Sequence, residues 1–154
     1  MLIEPEIPPN TGNIGRLCAA TGSHLHLVGR LGFDIGEKAV RRAGLDYWHE
    51  LTLNTHPDLE TFVARVSPPS LILFSSVASR SYLDAPYEPG AALVLGGESS
   101  GLPRAILDEH SDRVHAIPTR SGLRSLNLAN AAAIVLYEAL RVTGALGATF
   151  LEPV

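Results

Sequence analysis

The chain has 154 residues, of which 45% are hydrophobic, 18% charged and 6% aromatic; this balance excludes a disordered, collagen-like or coiled-coil protein and suits a single domain over residues 1–154. Twelve Lys and Arg against sixteen Asp and Glu leave a net charge of −4, which argues against a uniformly basic nucleic-acid binder, yet the balance is positive over residues 1–42 and 113–154 and negative between them. A single cysteine, Cys18, an acidic Met1–Glu6 start without an export signal, and charge-free stretches too short to span a bilayer all point to a cytoplasmic protein.

Apolar or β-rich runs recur at Leu2-Ile3, Leu25 to Val28, Glu50 to Leu53, Leu71 to Phe74, Ala92 to Leu95 and Val114 to Ile117. They read as short buried strands. Helical patterns lie between them at Gly12 to Thr21, Gly36 to Ala43, Pro57 to Val66, Pro103 to His110 and Leu126 to Thr143. Alternation of this kind predicts an α/β fold: a parallel sheet with helices on both faces. The last helix is apolar nearly all round, from Leu126 and Leu128 to Ala139 and Leu140. It needs cover on more than one side, and a homodimer supplies it.

No phosphate-binding loop of the G-x-x-x-x-G-K-[ST] or G-x-G-x-x-G kind occurs, which excludes the nucleotide sites built on them. His24 and His26 share one face of a strand without a third ligand, so no metal site is expected. The stretch Gly96-Gly97-Glu98-Ser99-Ser100-Gly101 follows a strand and contains G-x-S-x-G, the pattern of a hydrolase nucleophile elbow at Ser99. A triad is poorly provided for, because Asp108, Asp112 and His115 crowd into a short span. The other use of such glycines is a backbone that closely approaches a ligand at the carboxyl end of the sheet. In Asn10-Thr11-Gly12-Asn13-Ile14-Gly15-Arg16, Asn10 or Thr11 is a candidate helix cap whose exposed amides suit a phosphate, with Arg16 one turn on. In the 117–130 stretch, Ser125 is a candidate cap, and Asn127 and Asn130 stand three apart on an otherwise apolar helix.

Four segments taken together, Glu4 to Arg16, Arg41 to Tyr47, Gly96 to Pro103 and Ser125 to Ala131, resemble the SPOUT superfamily of knotted RNA methyltransferases. Within it they are most similar to the minimal ribose 2′-O-methyltransferases of the tRNA wobble nucleotide, and the resemblance runs in order over nearly the whole chain. It implies a deep C-terminal trefoil knot, a homodimer, and S-adenosylmethionine as methyl donor. The implied substrate is the tRNA anticodon stem-loop, methylated at cytidine or modified uridine 34, with leucine tRNAs expected. Other tRNA positions, ribosomal RNA and a non-catalytic binding module are the alternatives.

Carried onto this chain, the resemblance assigns Phe74, Ser75, Gly96, Glu98, Gly101, Ile117, Ser125 and Leu126 to the cofactor, largely through backbone. Asn13, Asn127 and Asn130 would support the site, with Glu98 and Asn127 bracing the loops, and Arg16 and Tyr137 would line the reacting end as catalytic residues. Arg41, Arg42 and Arg124 would grip the RNA backbone, with Tyr47 or Trp48 available for base stacking. A guanidinium only donates hydrogen bonds, so Arg16 suits orienting the ribose and stabilising a developing alkoxide better than it suits a base.

Overall fold

The computed structural model describes residues 1–34, 49–120 and 125–147. Six strands, β1 (Leu2–Ile3), β2 (Leu25–Val28), β3 (Leu53–His56), β4 (Leu71–Phe74), β5 (Ala92–Gly96) and β6 (Val114–His115), form one sheet in the order β3-β2-β1-β5-β4-β6. Every pairing is parallel. Alternate side chains feed two cores, which is why the inner strands β4 and β5 read as continuous apolar runs. On one face Leu2, Leu25, Leu27, Ile72, Phe74 and Leu95 pack against helices α1 (Pro8–Thr21) and α4 (Leu128–Val142). On the other, Ile3, Val28, Leu71, Leu73, Val94 and Val114 meet Phe62 of α2 (Leu59–Val66) and Ile106 and Leu107 of α3 (Arg104–Glu109). The expected α/β architecture with a parallel sheet is therefore what the chain adopts.

β1 is only two residues long yet central: Leu2 lies opposite both Leu27 and Leu95, and Ile3 opposite Val28 and Gly96. Beyond β1 the connections run outward to β2 and β3, whereas β5 and β4 lie on its other side. The direction of winding thus reverses between β1 and β5, where open α/β sheets bind ligands at the carboxyl ends of their strands.

Several boundaries differ from the sequence reading, each for a physical reason. β3 runs over Leu53–His56 rather than Glu50 to Leu53, because pairing with β2 sets its register and an edge strand tolerates the exposed Asn54 and Thr55. β6 stops at His115; Ala116 instead bridges to Ser81, and the chain turns away at Ile117-Pro118. α1 starts at Pro8, not Gly12, since a proline at the first helical positions needs no amide partner and arrives with helical φ. Asn10 and Thr11 are consequently buried within the helix and do not cap it. α1 ends at Gly22, whose φ of 65° lets its amide reach Ala19 O at 3.3 Å while Ser23 N reaches Cys18 O at 2.9 Å. α4 is capped by Asn127, not Ser125: Asn127 Oδ1 accepts from Ala129 N at 2.9 Å and Asn130 N at 3.4 Å. The helix expected over Gly36 to Ala43 lies outside the described residues.

Candidate active site

A cleft of about 460 Å³ opens beyond the carboxyl ends of β4, β5 and β6, a size within the ~300–1,000 Å³ usual for small-molecule sites. Its walls are the loop after β4 (Phe74 to Val77), the turn after β5 (Gly96 to Leu102), Ile117 and Thr119 beyond β6, and Ser125 to Leu128 at the start of α4. Ile7 and Asn10 close it from α1. Both α1 and α4 begin here, so their positive ends face the cleft.

The turn after β5 depends on its glycines. A Cβ on Gly96 would sit 2.1 Å from the carbonyl carbon of Gly101, so no side chain fits. Gly101 adopts φ of +68°, and its amide donates to Gly97 O at 2.9 Å to close the turn.

Polar side chains tie the turn to both helices. The Glu98 carboxylate accepts from Glu6 N at 2.8 Å, Ile7 N at 3.3 Å and Asn10 Nδ2 at 2.8 Å. Asn10 Oδ1 in turn accepts from Asn127 Nδ2 at 2.9 Å. A half-buried acidic group thus takes up the main-chain amides of Glu6 and Ile7, which lead into α1, as buried polar groups require. Glu98 and Asn127 connect three segments of chain whose sequence separations are 88 and 117 residues.

All eight residues assigned to the cofactor, Phe74, Ser75, Gly96, Glu98, Gly101, Ile117, Ser125 and Leu126, line this one cleft, as does Asn127. Asn130 follows on the first turn of α4, with its side chain exposed. Asn13 and Arg16 stand exposed on α1, and Tyr137, 47% exposed, lies well along α4. None of these three is part of the cleft's lining in the single chain. Arg41, Arg42, Arg124, Tyr47 and Trp48 lie outside the described residues. The sequence reading makes Asn10 a helix cap and gives Glu6, Ser76, Val77 and Thr119 no role of their own, although Glu6 lies within the Glu4 to Arg16 motif; their roles depend on a partner or wall far along the chain.

The hydrolase elbow is not built. Ser99 donates its hydroxyl to the Glu6 carboxylate and no histidine attends it; the Nδ1 of His115 lies 3.1 Å from Arg113 O. The histidine reading changes as well. His26 Nδ1 lies 3.0 Å from His56 Nε2, a partner contributed by β3, and both rings pack edge-on to Phe62. Burial, then the charge of the Met1 amino group and the neighbouring rings of His56 and His24, bring His26 down to about 4. Two neutral rings sharing one hydrogen bond are a core feature, and among the described residues no group of three or more His, Cys, Asp or Glu is arranged to hold a metal. A second cavity, about 590 Å³ and mostly apolar, lies at the opposite end of the sheet between α1 and α4. It lacks the converging loops and helix starts that mark the carboxyl end. Among the described residues no helix is long and apolar enough to cross a membrane.

A parallel α/β sheet with a glycine-turned cleft at its carboxyl end defines a ligand-binding α/β protein, and comparison with known proteins narrows the class. The chain belongs to the SpoU rRNA Methylase family, which it matches over residues 1–137. It is 44% identical over 157 aligned residues to the tRNA (cytidine(34)-2'-O)-methyltransferase of Escherichia coli K12, covering 99% of this chain and 98% of that protein. A structure described under "Structural insights into the 2-OH methylation of C/U34 on tRNA" superposes with a TM-score of 0.81 at 38% identity, covering 91% of each chain. The SpoU methyltransferase AviRb of Streptomyces viridochromogenes, solved in complex with AdoMet, superposes with a TM-score of 0.76 at 27% identity over 92% of this chain and 58% of that one. The family read from the four sequence motifs is the family to which the chain belongs.

Proposed function

We propose that this protein transfers the methyl group of S-adenosylmethionine to the ribose 2′-oxygen of nucleotide 34 in tRNA anticodon loops. The observation that carries this reading is the convergence of three loops on one cleft at the carboxyl end of the sheet, in a chain that aligns end to end with an enzyme named for that reaction. The residues present fit the donor. Phe74, Leu95, Ile117 and Leu126 offer apolar walls for a flat base, the Gly96 to Gly101 backbone permits close approach, and Ser75, Ser125 and Thr119 add hydroxyls.

When bound, S-adenosylmethionine supplies a methyl carbon activated by an adjacent sulfonium. The chain's task is then to hold the 2′-oxygen in line with that carbon, which is catalysis by positioning. The 2′-hydroxyl would give its proton to solvent water as the oxygen bonds to that carbon; partial negative charge would develop on the oxygen as the proton leaves and would be neutralised as the bond completes. Arg16 is assigned to orienting the ribose and its phosphate and to stabilising that charge. Tyr137 is assigned to the reacting end beside it.

Arg16 and Tyr137 stand outside the single-chain cleft, which supports a homodimer in which a second copy presents them. The Ala-rich α4, with Tyr137 and Val142 exposed, is the surface suited to close helix approach. Arg41, Arg42 and Arg124 are assigned to the RNA backbone. The knot belongs to the same reading; it is supported by the anchoring of Asn127, at the start of α4, to Asn10, which also binds Glu98 of the turn after β5.

A substrate pair tests the acceptor atom. With labelled donor, an anticodon stem-loop carrying ribose at nucleotide 34 should be methylated and its 2′-deoxy-34 counterpart should not. Equal labelling of both would refute the assignment, and label only in ribosomal RNA would favour the substrate class in the family's own description.

A further inference from the structure

The turn after β5 is held by two carboxylates that cross over each other. Glu98, on the turn, accepts from the main chain of Glu6 and Ile7; Glu6, on the segment that leads into α1, reaches back and accepts from Ser99. Glu6 takes both donors of that one residue, the Ser99 amide at 3.3 Å on Oε1 and the Ser99 hydroxyl on Oε2. The strands of this clasp lie 91 to 93 residues apart in sequence. They are pressed together closely: a Cβ on Gly97 would lie 2.5 Å from Glu4 O and 2.9 Å from Glu6 Oε1.

Glu98 and Ser99 line the cleft, whereas Glu6 does not. The hydrogen bonds of the Glu6 carboxylate therefore reach the cleft through Ser99. The turn is closed at its base by the Gly101–Gly97 hydrogen bond; that bond leaves its tip, Ser99 and Ser100, to be fixed by something else. A bidentate acceptor on α1's lead-in fixes it in one place, and it does so relative to the helix that carries Arg16. Bonds that preset a binding turn spare the ligand the entropy of ordering it.

We propose that Glu6 is a positioning residue that presets the cofactor turn through Ser99. This rests on the reading of the cleft as the S-adenosylmethionine site. Removing the carboxylate frees the tip, so affinity for the cofactor falls while the folded sheet is retained. Glu6→Gln keeps one acceptor oxygen for the Ser99 amide and sets an NH2 group against the Ser99 hydroxyl, which can rotate to accept from it, so part of the effect is restored.

The test is calorimetric titration of S-adenosylmethionine into the wild type, Glu6→Ala, Glu6→Gln, Ser99→Ala and the Glu6→Ala/Ser99→Ala double variant, with thermal unfolding of each. Because paired residues couple by about 0.5–3 kcal/mol, a factor of roughly 2 to 150, Glu6→Ala is expected to raise Kd about tenfold. Glu6→Gln should recover part of that, and Ser99→Ala should add little in the background of Glu6→Ala. Unchanged Kd in Glu6→Ala, additive losses in the double variant, or a loss in Glu6→Gln as large as in Glu6→Ala would overturn the assignment while leaving the cofactor site intact. Wild-type protein that binds no S-adenosylmethionine would instead refute the cofactor reading, and the role of Glu6 with it.

Discussion

Asn127 Nδ2 donates to Asn10 Oδ1 at 2.9 Å, joining the first residue before α4 to the first turn of α1 across 117 residues of chain. The same Asn127 caps α4 with its oxygen, and the same Asn10 binds Glu98 with its nitrogen. One amide pair therefore ties the two helices that begin at the cleft to each other and to the turn between them.

Replacing Asn127 with alanine removes a cap, whose loss typically costs ~1 kcal/mol, and strands the Asn10 oxygen, a further ~1 kcal/mol or more. Asn127→Asp retains the cap acceptor while losing the donor to Asn10. Urea unfolding should rank the wild type above Asn127→Asp and Asn127→Asp above Asn127→Ala. A wild-type midpoint in Asn127→Ala would show that the link carries no stability.

The two glycines of the turn are expected to respond differently. Gly96→Ala drives a Cβ into the Gly101 carbonyl and should cost ~3 kcal/mol or more or prevent folding. Gly101→Ala meets nothing within 4 Å and bears only the strain of φ +68°, about 1 kcal/mol. Thermal unfolding of both separates steric exclusion from backbone strain, and equal losses would contradict the packing described.

How far the sequence could be read follows from what each feature depends on. β4 and β5 are buried on both faces and appear as uninterrupted apolar runs, and β2 is broken only by His26, so Leu25 to Val28 and Leu71 to Phe74 are legible at their true limits. β3 is an edge strand whose exposed Asn54 and Thr55 carry no apolar signature, so the sequence signal falls at Glu50 to Leu53 instead. The eight residues assigned to the cofactor, which line one cleft, are reachable through motif resemblance. The Glu98–Asn10–Asn127 bonds were not, because a hydrogen bond between residues 88 or 117 positions apart leaves no local pattern. Asn10 looked like a cap for the same reason: its amide serves a partner that only the fold brings near.

The His26–His56 pair predicts acid sensitivity. His26 is held down to about 4 from an ordinary 6.5 by burial and by the charges of the Met1 amino group, His56 and His24; burial and Arg65 lower His56 as well. The folded state then binds fewer protons than the unfolded one, so this contribution is complete above pH 6.5 and is lost as pH falls towards and through 4. Urea midpoints should drop between pH 7 and pH 5, and the drop should be smaller in His26→Gln/His56→Gln. An equal drop in that variant would assign the acid loss to other groups.

Arg16 and Ser125 should separate chemistry from binding. Arg16→Ala is expected to bind S-adenosylmethionine normally and to lose methyl transfer by about 10²-fold or more. Ser125→Ala, in the cleft wall, should chiefly weaken cofactor binding. Retained turnover in Arg16→Ala would remove its assigned role, and an unchanged Kd in Ser125→Ala would remove the pocket assignment.

The most direct measurement is methyl transfer from radiolabelled S-adenosylmethionine to total tRNA that lacks this modification, followed by nucleoside analysis and mapping of the labelled position. The account predicts a 2′-O-methylated nucleotide at position 34. Label on a base, label at another tRNA position, or no label in tRNA from protein that binds the cofactor would contradict it.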